Sequence, residues 1–385
     1  MGVSISIRSA LRPIYQAWKL ASKYPLRQRF KISVDYLSLF RLKGITKEEY
    51  YDFGFDKQSK SFRDSFLGLH EQRFYLDYLN PIKYYSLARN KYLAHKVLGA
   101  AGIRQSELYC YYQPEAHYKN NAECASNLKD VIHILKSKRV DSCVIKTTES
   151  SHGDNVWVIS KIEYKSGDLI MRRFDGEKVL LSSILKNEAL IFESVVHQTS
   201  QFASFNESSV NTVRFMTTLW PDGSAKVFAT FVKIGRCGKC VDNAGGGGNV
   251  DVCVDTDSGE LKYAIQFDGL QRIREIECHP DNGCRLNGVV IENWQKTIEE
   301  VIQFQQAFPF CKAAGWDIAI TDDGPVVIEV NDFWDRVGQC FIRHGWREEI
   351  RNCYMEWKRN GSEYGSGRYR NDLPMTRLIN IMGRD

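Results

Sequence analysis

Charged side chains inside an apolar hairpin are the first residues here that could do chemistry. Residues 315–321 (GWDIAIT) and 325–331 (PVVIEVN) flank Asp322-Asp323-Gly324, a strong turn signal. Strand alternation puts Glu329 and Asn331 on one face. Pairing about a turn centred near Asp323 brings Asp317 approximately opposite Glu329. Two carboxylates and an amide oxygen among Ile318, Ile320, Val327, Ile328 and Val330 are costly unless paired or bound to a metal. An oxygen-only set suits Mg2+, which takes one or two carboxylates together with waters and phosphates. Pairing with nearby Arg or Lys is the alternative.

Three other patterns carry chemical content. In VIKTTESSHGDNVWVI, Lys146 closes a strand and a loop of small residues holds Gly153. Such a loop can lay backbone N–H groups over phosphates with a lysine beneath, although it is not the P-loop pattern. In VDNAGGGGNVDV, four glycines (245–248) follow Arg236, Lys239 and Asn243 between two strands. This is either a flexible linker or a place of close backbone approach to an anionic ligand. Cys237 and Cys240 form one CxxC, and Cys278, His279 and Cys284 lie at a spacing that fits no standard zinc finger, so plain thiols are expected. No G-x-S-x-G elbow supports a serine hydrolase.

The elements that must position these residues read as follows. Residues 6–43 are helical, with Pro13 a boundary or kink, and residues 46–80 form short helices rich in Phe and Tyr. Residues 81–101 make one helix stopped by Gly99 and Gly102, and residues 126–138 another with Ser126 as N-cap. Strands are expected at 107–113, 143–147, 155–160, 169–174, 189–196, 211–220 and 225–235, the last two joined by Pro221-Asp222-Gly223. A further strand pair flanks Asp257-Ser258-Gly259, and a helix follows at 291–308. The fold class is α+β, and residues 361–372 read as loop.

Composition narrows the function classes. The 385 residues are 43% hydrophobic, 26% charged and 12% aromatic, which excludes disorder, collagen-like repeats and a small disulfide scaffold. No apolar run reaches the length of a transmembrane helix. The 11 cysteines form no framework, and the first twenty residues carry no secretory pattern, so reduced thiols and a cytoplasmic location are expected. Residues 1–45 hold nine basic side chains against Asp35 alone, a charge of +8 in a chain whose total is +5. The remainder is therefore −3, and the body is no nucleic-acid binder by charge. The basic arm is either a helix packed on the body with solvated cations or an interfacial helix touching an anionic membrane, peripheral to its inner face.

Taken in order, these pieces resemble the ATP-grasp fold: two α+β subdomains clasping ATP, here preceded by a helical N-terminal region. More narrowly, SSVNTVRFMT (208–217), VDNAGGGGNVDV (241–252), HPDNGCRLNGVVIENW (279–294) and GWDIAITDDGPVVIEVN (315–331) are similar to the sugar-transfer-associated ATP-grasp family. The resemblance spans roughly residues 80–340. It implies N-terminal and lid subdomains at 81–200 and a metal- and substrate-binding subdomain at 201–340, with the basic helical region at 1–80 and an extension at 341–385 lying outside it. It implies that Lys91 and Lys146 hold ATP phosphates under a lid at 148–154 containing Gly153. Glu193, Ser194, Val195 and Val196 would form the hinge whose backbone reads adenine. Asp317, Glu329 and Asn331 would bind Mg2+, with Glu329 the bridge. Arg214 would stabilise the transferring phosphoryl group or an acyl phosphate. Arg236, Asn243 and the glycines would meet phosphates or the acceptor.

The activity implied is a Mg-ATP-dependent carboxylate–amine or carboxylate–hydroxyl ligase that decorates a surface polysaccharide or its precursor. Its substrates would be sugars or amino acids, and polysaccharide-assembly enzymes its partners. A sugar phosphotransferase on the same fold, or a non-catalytic nucleotide-binding scaffold, is the alternative. Residues 332–336 (DFWDR) are more charged than the family pattern leads one to expect, and four glycines stand where two or three are expected.

Overall fold

The computed structural model describes residues 7–116, 122–149, 155–165, 167–242, 248–267 and 273–361, with side chains from residue 14 onward except at Lys23. The chain divides into two compact units: residues 1–79, 267–274 and 335–385 form one, and residues 80–266 and 275–334 the other. Among the described residues no helix is long and apolar enough to cross a membrane.

The first unit begins with helices α1 (Ile7–Leu20), α2 (Leu26–Lys43), α3 (Lys60–Ser65) and α4 (Leu69–Leu79). Pro13 lies inside α1, so the expected boundary is not there. It falls at Tyr24-Pro25, where proline forces its predecessor into extended backbone (Tyr24 ψ 154°) and then caps α2. Tyr50, Tyr51, Phe55, Phe62 and Phe66 pack into a small aromatic core, with Tyr50 against Tyr51 and Phe55 against Phe66 edge to face. Within this unit Arg336 donates to Glu49 Oε1 and Gln72 Oε1, both at 2.8 Å, and a helix at Arg347–Arg359 follows.

The second unit opens with α5 (Ser86–Arg89) and α6 (Lys91–Ala100). The single helix expected over 81–101 is therefore broken, and the break has a cause. Asn90 is extended (φ −90°, ψ 110°), and its side chain caps a new helix by accepting from the Leu93 N–H at 3.1 Å. The Lys91 N–H donates to the Thr148 carbonyl at 2.9 Å, which sets Lys91 on the first turn of α6.

Next come β1 (Leu108–Tyr112), β2 (Cys124–Ala125), α7 (Leu128–Ser137), β3 (Cys143–Thr147), β4 (Val156–Tyr164), β5 (Leu169–Arg173), β6 (Lys178–Leu180), α8 (Leu181–Ile184) and β7 (Leu190–Glu193). They form a seven-stranded sheet in the order β2-β1-β7-β3-β4-β5-β6. Asn127, not Ser126, caps α7: its side chain accepts from the Asp130 N–H. The strand expected over 189–196 stops at Glu193, which leaves residues 194–196 beyond the sheet.

The chain continues through α9 (Ser200–Phe205), β8 (Thr212–Leu219), β9 (Ala225–Ile234), β10 (Val250–Val254), β11 (Leu261–Phe267), β12 (Ile273–Ile276), α10 (Trp294–Ala307), β13 (Ala313–Thr321) and β14 (Gly324–Asn331). The second sheet has the order β12-β11-β10-β9-β8-β13-β14. On one face Val213, Phe215, Val232, Trp316 and Ile318 pack with Trp294, Val301 and Phe304 of α10. Gly259 makes this close packing feasible: its φ is +76°, and a Cβ there would sit 2.4 Å from the Trp294 ring. Alternation sends Arg214, Lys233, Asp317 and Glu329 to the other face.

The charges after Asn331 are internal ties. Asp332 is buried and accepts from both Nε and Nη2 of Arg89 at 2.9 Å. Its carbonyl accepts from Asn80 Nδ2 at 2.6 Å.

Candidate functional site

Three strands line up one row of charge. Arg214 on β8 is the register partner of Asp317 on β13, and Asp317 is the register partner of Glu329 on β14. From Ile318↔Val327 to Thr321↔Gly324 the hairpin pairs regularly. Continued without interruption, that register would set Asp317 against Ile328. A bulge places the extra residue there and aligns Asp317 with Glu329.

Asp317 is 3% exposed and heavily bonded. Arg214 Nε donates to Oδ1 at 2.7 Å and Nη2 to Oδ2 at 2.9 Å. Lys233 Nζ lies 3.0 Å from Oδ1. Asn331 Nδ2 makes a long contact of 3.5 Å with Oδ2. Burial alone would raise the Asp317 carboxyl, but Arg214 and Lys233 outweigh it and hold the pKa at about 2. Lys233 also faces Asp242 Oδ1 at 3.8 Å, and Asp242 Oδ2 accepts from the Thr212 N–H (2.9 Å) and hydroxyl (2.5 Å). Here burial wins, and the Asp242 carboxyl is raised despite Lys233 and Thr212. The two cations and two carboxylates balance in charge, leaving Glu329 as the charge at the open end of the row. Among the described residues Glu329 has no ion pair within 4.0 Å.

Glu329 shares a cleft with Lys91 and Glu193, whose apolar wall includes Ala94, Leu98 and Val327. The wall is fixed by main chain, since the Val327 N–H donates to the Arg104 carbonyl at 2.9 Å. Burial lowers the Lys91 ammonium pKa, with Glu329 opposing that fall and Lys146 adding to it. Lys146 Nζ contacts Glu193 Oε2 at 2.8 Å, and both side chains are largely buried. The four residues expected at the hinge are not equivalent. Ser194 spends its N–H on the Glu107 carbonyl (2.9 Å), and its hydroxyl accepts from the Glu107 N–H (2.9 Å). Among the described residues no main-chain partner takes the N–H of Val195 or Val196.

Arg236 is committed elsewhere. It grips Asp281 through Nε (2.8 Å) and Nη2 (2.5 Å) and donates to the Gly248 carbonyl (3.2 Å). The Cys237 N–H adds a third bond to Asp281. Gly153 and Asn243 lie outside the described residues. The cysteines Cys237, Cys240, Cys278 and Cys284 are free thiols, and no metal-holding cluster of His, Cys, Asp and Glu occurs among the described residues.

A family model described as sugar-transfer associated ATP-grasp matches residues 70–353. The chain belongs to the sugar-transfer associated ATP-grasp family. No curated protein matches it. Among solved structures it is distantly similar to three. They are the VanG D-Ala:D-Ser ligase from Enterococcus faecalis (13% identity, covering 77% of this chain and 61% of that one, TM-score 0.36), the biotin carboxylase–β-γ-ATP complex from Campylobacter jejuni (9%, 70% and 47%, TM-score 0.39) and N5-carboxyaminoimidazole ribonucleotide synthetase from Thermotoga maritima (12%, 70% and 50%, TM-score 0.37). The chain thus spans about half the length of such structures, 50% in the last case.

ATP-grasp membership raises the question of whether this donor set suits a magnesium ion. Asp317, Glu329 and Asn331 offer oxygen only, the hard-ligand chemistry Mg2+ takes. A carboxylate has roughly four lone-pair positions. Asp317 fills three with strong bonds and keeps one on Oδ2, weakly used by Asn331. Glu329 has both oxygens uncommitted among the described residues. The set fits a small cation held mainly by Glu329. Lys91 in the same cleft, with Lys146 on the cleft residue Glu193, fits an anionic ligand there.

Sequence reasoning missed Lys233, Asp242 and Asp281. The signal for Lys233 was present: it stands between Val232 and Ile234 in a strand, the same pattern that drew attention to Asp317. Asp242, which is buried, and Asp281 sit in loops, where no periodicity marks a paired charge.

Proposed function

We propose that the chain is a Mg-ATP-dependent ligase that activates a carboxylate as an acyl phosphate and joins it to an amine or hydroxyl. The observation that carries this reading is the alignment of Glu329 with Asp317, with Glu329 opening on a cleft that also holds Lys91 and Glu193, the latter paired with Lys146. Lys91 and Lys146 would bind phosphate oxygens, with Lys146 exchanging or sharing its contact with Glu193. Glu329, Asn331 and the remaining lone pair of Asp317 would hold one or two Mg2+, which when bound neutralise charge on the phosphates. Arg214 and Lys233 would keep Asp317 ionised and oriented. Val195 and Val196 would offer main-chain groups to the adenine edge. The loop around Gly153 would exclude water from an intermediate that hydrolyses readily. The loop at Arg236 and Asn243 would face the acceptor, with Arg236 acting through the conformation it gives that loop. The family description points to sugar-transfer chemistry, so a sugar or amino acid in surface-polysaccharide biosynthesis is the proposed substrate class.

One observation favours a second reading. Asp317 is nearly saturated by two cations, as it would be in a nucleotide-binding scaffold that does not turn over. Incubation with Mg·ATP, a pool of amino acids and a pool of uronic acids separates the readings. ADP that requires both a carboxylate and an amine or hydroxyl, with a product lighter than their sum by the mass of water, supports the ligase. A product gaining a phosphoryl group supports a phosphotransferase, and ATP binding without turnover supports the scaffold.

A further inference from the structure

In the first unit the two leading helices pack Leu20, Ile32, Tyr36, Leu37 and Leu39 against the core yet leave a second set of large apolar side chains outside. On α1, Ala17 is wholly buried, as is Ala21 just beyond its end, whereas Ile14, Tyr15 and Trp18 are exposed, Tyr15 to 66%. On α2, Ser33 and Tyr36 are buried, whereas Leu26, Phe30 and Val34 stand out at 72%, 68% and 50% exposure. Positions 26, 30 and 34 repeat at i, i+4 and i+8, so they form one stripe along the helix. A helix that serves only its own core leaves no such second apolar stripe outside. Contiguous exposed apolar surface of this kind marks an interaction site.

The charge beside the stripe says what it meets. Lys19, Arg27 and Lys31 are exposed, and the Arg29 guanidinium lies 5.1 Å from the centre of the Trp18 ring. The one acid in the segment, Asp35, is neutralised locally by Arg63 at 2.7 Å and by the Tyr50 hydroxyl at 2.6 Å. The face is therefore apolar and cationic, its one acid of the segment engaged by Arg63, and it is complementary to a surface that is anionic outside and apolar beneath. We propose that α1 and α2 form a docking face for an anionic lipid bilayer, lying in the headgroup plane with Leu26, Phe30, Val34 and Trp18 inserted. This inference stands apart from the ligase reading, because it uses no residue of the cleft.

The test is co-sedimentation of the full chain with vesicles of equal parts phosphatidylglycerol and phosphatidylcholine, against phosphatidylcholine alone. The expected result is binding to the anionic vesicles that falls steeply between about 0.1 and 0.5 M salt, where the screening length shortens about twofold. Arg27→Gln with Lys31→Gln weakens it about 30-fold, near a factor of five for each cation. Leu26→Ser with Phe30→Ser abolishes it while helical circular dichroism and Mg·ATP affinity stay as in the parent. The proposal is overturned if the parent does not sediment with anionic vesicles. It is equally overturned if neither pair of substitutions changes binding, or if sedimentation velocity shows that the stripe instead joins two copies of this chain and vesicles do not compete.

Discussion

Asp317 and Glu329 face each other across β13 and β14 because the strand carries one extra residue at Ile328. A regular hairpin would oppose Asp317 to an isoleucine and turn the glutamate away from it. The bulge also opens the ladder beside the cleft, whose lining includes Ile328 and Glu329.

Glu329→Gln keeps the shape and removes the charge at the open end of the row. Loss of a charge interaction worth several kcal/mol predicts ADP formation at least about 100-fold slower, with thermal stability nearly unchanged. Steady-state kinetics and a melting curve on the same sample check both halves. Unchanged turnover with true substrates would remove Glu329 from the metal site.

Lys233 is the keystone of the buried charges. Lys233→Met leaves Asp317 and Asp242 short of a shared cation and should cost about 3 to 5 kcal/mol in urea unfolding. Adding Asp242→Asn removes one of the stranded carboxylates, so the double variant should be more stable than Lys233→Met alone. Additive losses would show that the two residues are not coupled.

Lys146 and Glu193 form a largely buried pair, so their roles in affinity and stability need separating. Lys146→Ala should raise the Kd for Mg·ATP about 10- to 100-fold, the worth of one charged hydrogen bond. Lys146→Ala with Glu193→Gln relieves the orphaned carboxylate. It should recover stability while keeping the loss of affinity, as read by calorimetric titration.

The loop after β9 carries a pH signature. Bonding to Arg236 outweighs the burial of Asp281 and, with the Cys237 N–H, holds its carboxyl at about 2, below the ordinary 3.8. Because the folded value is the lower one, this pair's contribution is fully present above about pH 4 and is lost as pH falls towards 2. Allowing for partial exposure, it amounts to on the order of 1 kcal/mol. Asp281→Asn should be less stable than the parent at about pH 6, and the difference should shrink at about pH 3. A difference constant across that range would contradict the assignment.

The hairpins were legible because Asp-Gly turns and alternating Val, Ile and charged residues are local signals. Strand β3 has the bounds expected from its sequence pattern. The helix over 81–101 was misread because Asn90 is an ordinary helix residue in one dimension. Its extended backbone is stabilised by a cap to Leu93 and by the Lys91 N–H meeting Thr148, more than fifty residues away. That break places Lys91 on the first turn of α6, so the least legible local feature bears directly on the candidate site. The commitments of Arg214 to Asp317 and of Arg236 to Asp281 were equally invisible, since both are contacts between strands or loops far apart in sequence. The charged run after Asn331 became intelligible only when Asp332 was seen to meet Arg89.

The most direct test of the central claim follows oxygen atoms. Carboxylates in the substrate pool are labelled with heavy oxygen, the protein is supplied with Mg·ATP and acceptors, and the released phosphate is weighed. Activation through an acyl phosphate predicts one heavy oxygen in each phosphate released along with ADP, and the same labelled phosphate at least about 100-fold more slowly with Glu329→Gln. Phosphate carrying only solvent oxygen, or a phosphoryl group retained on a sugar, would contradict the account.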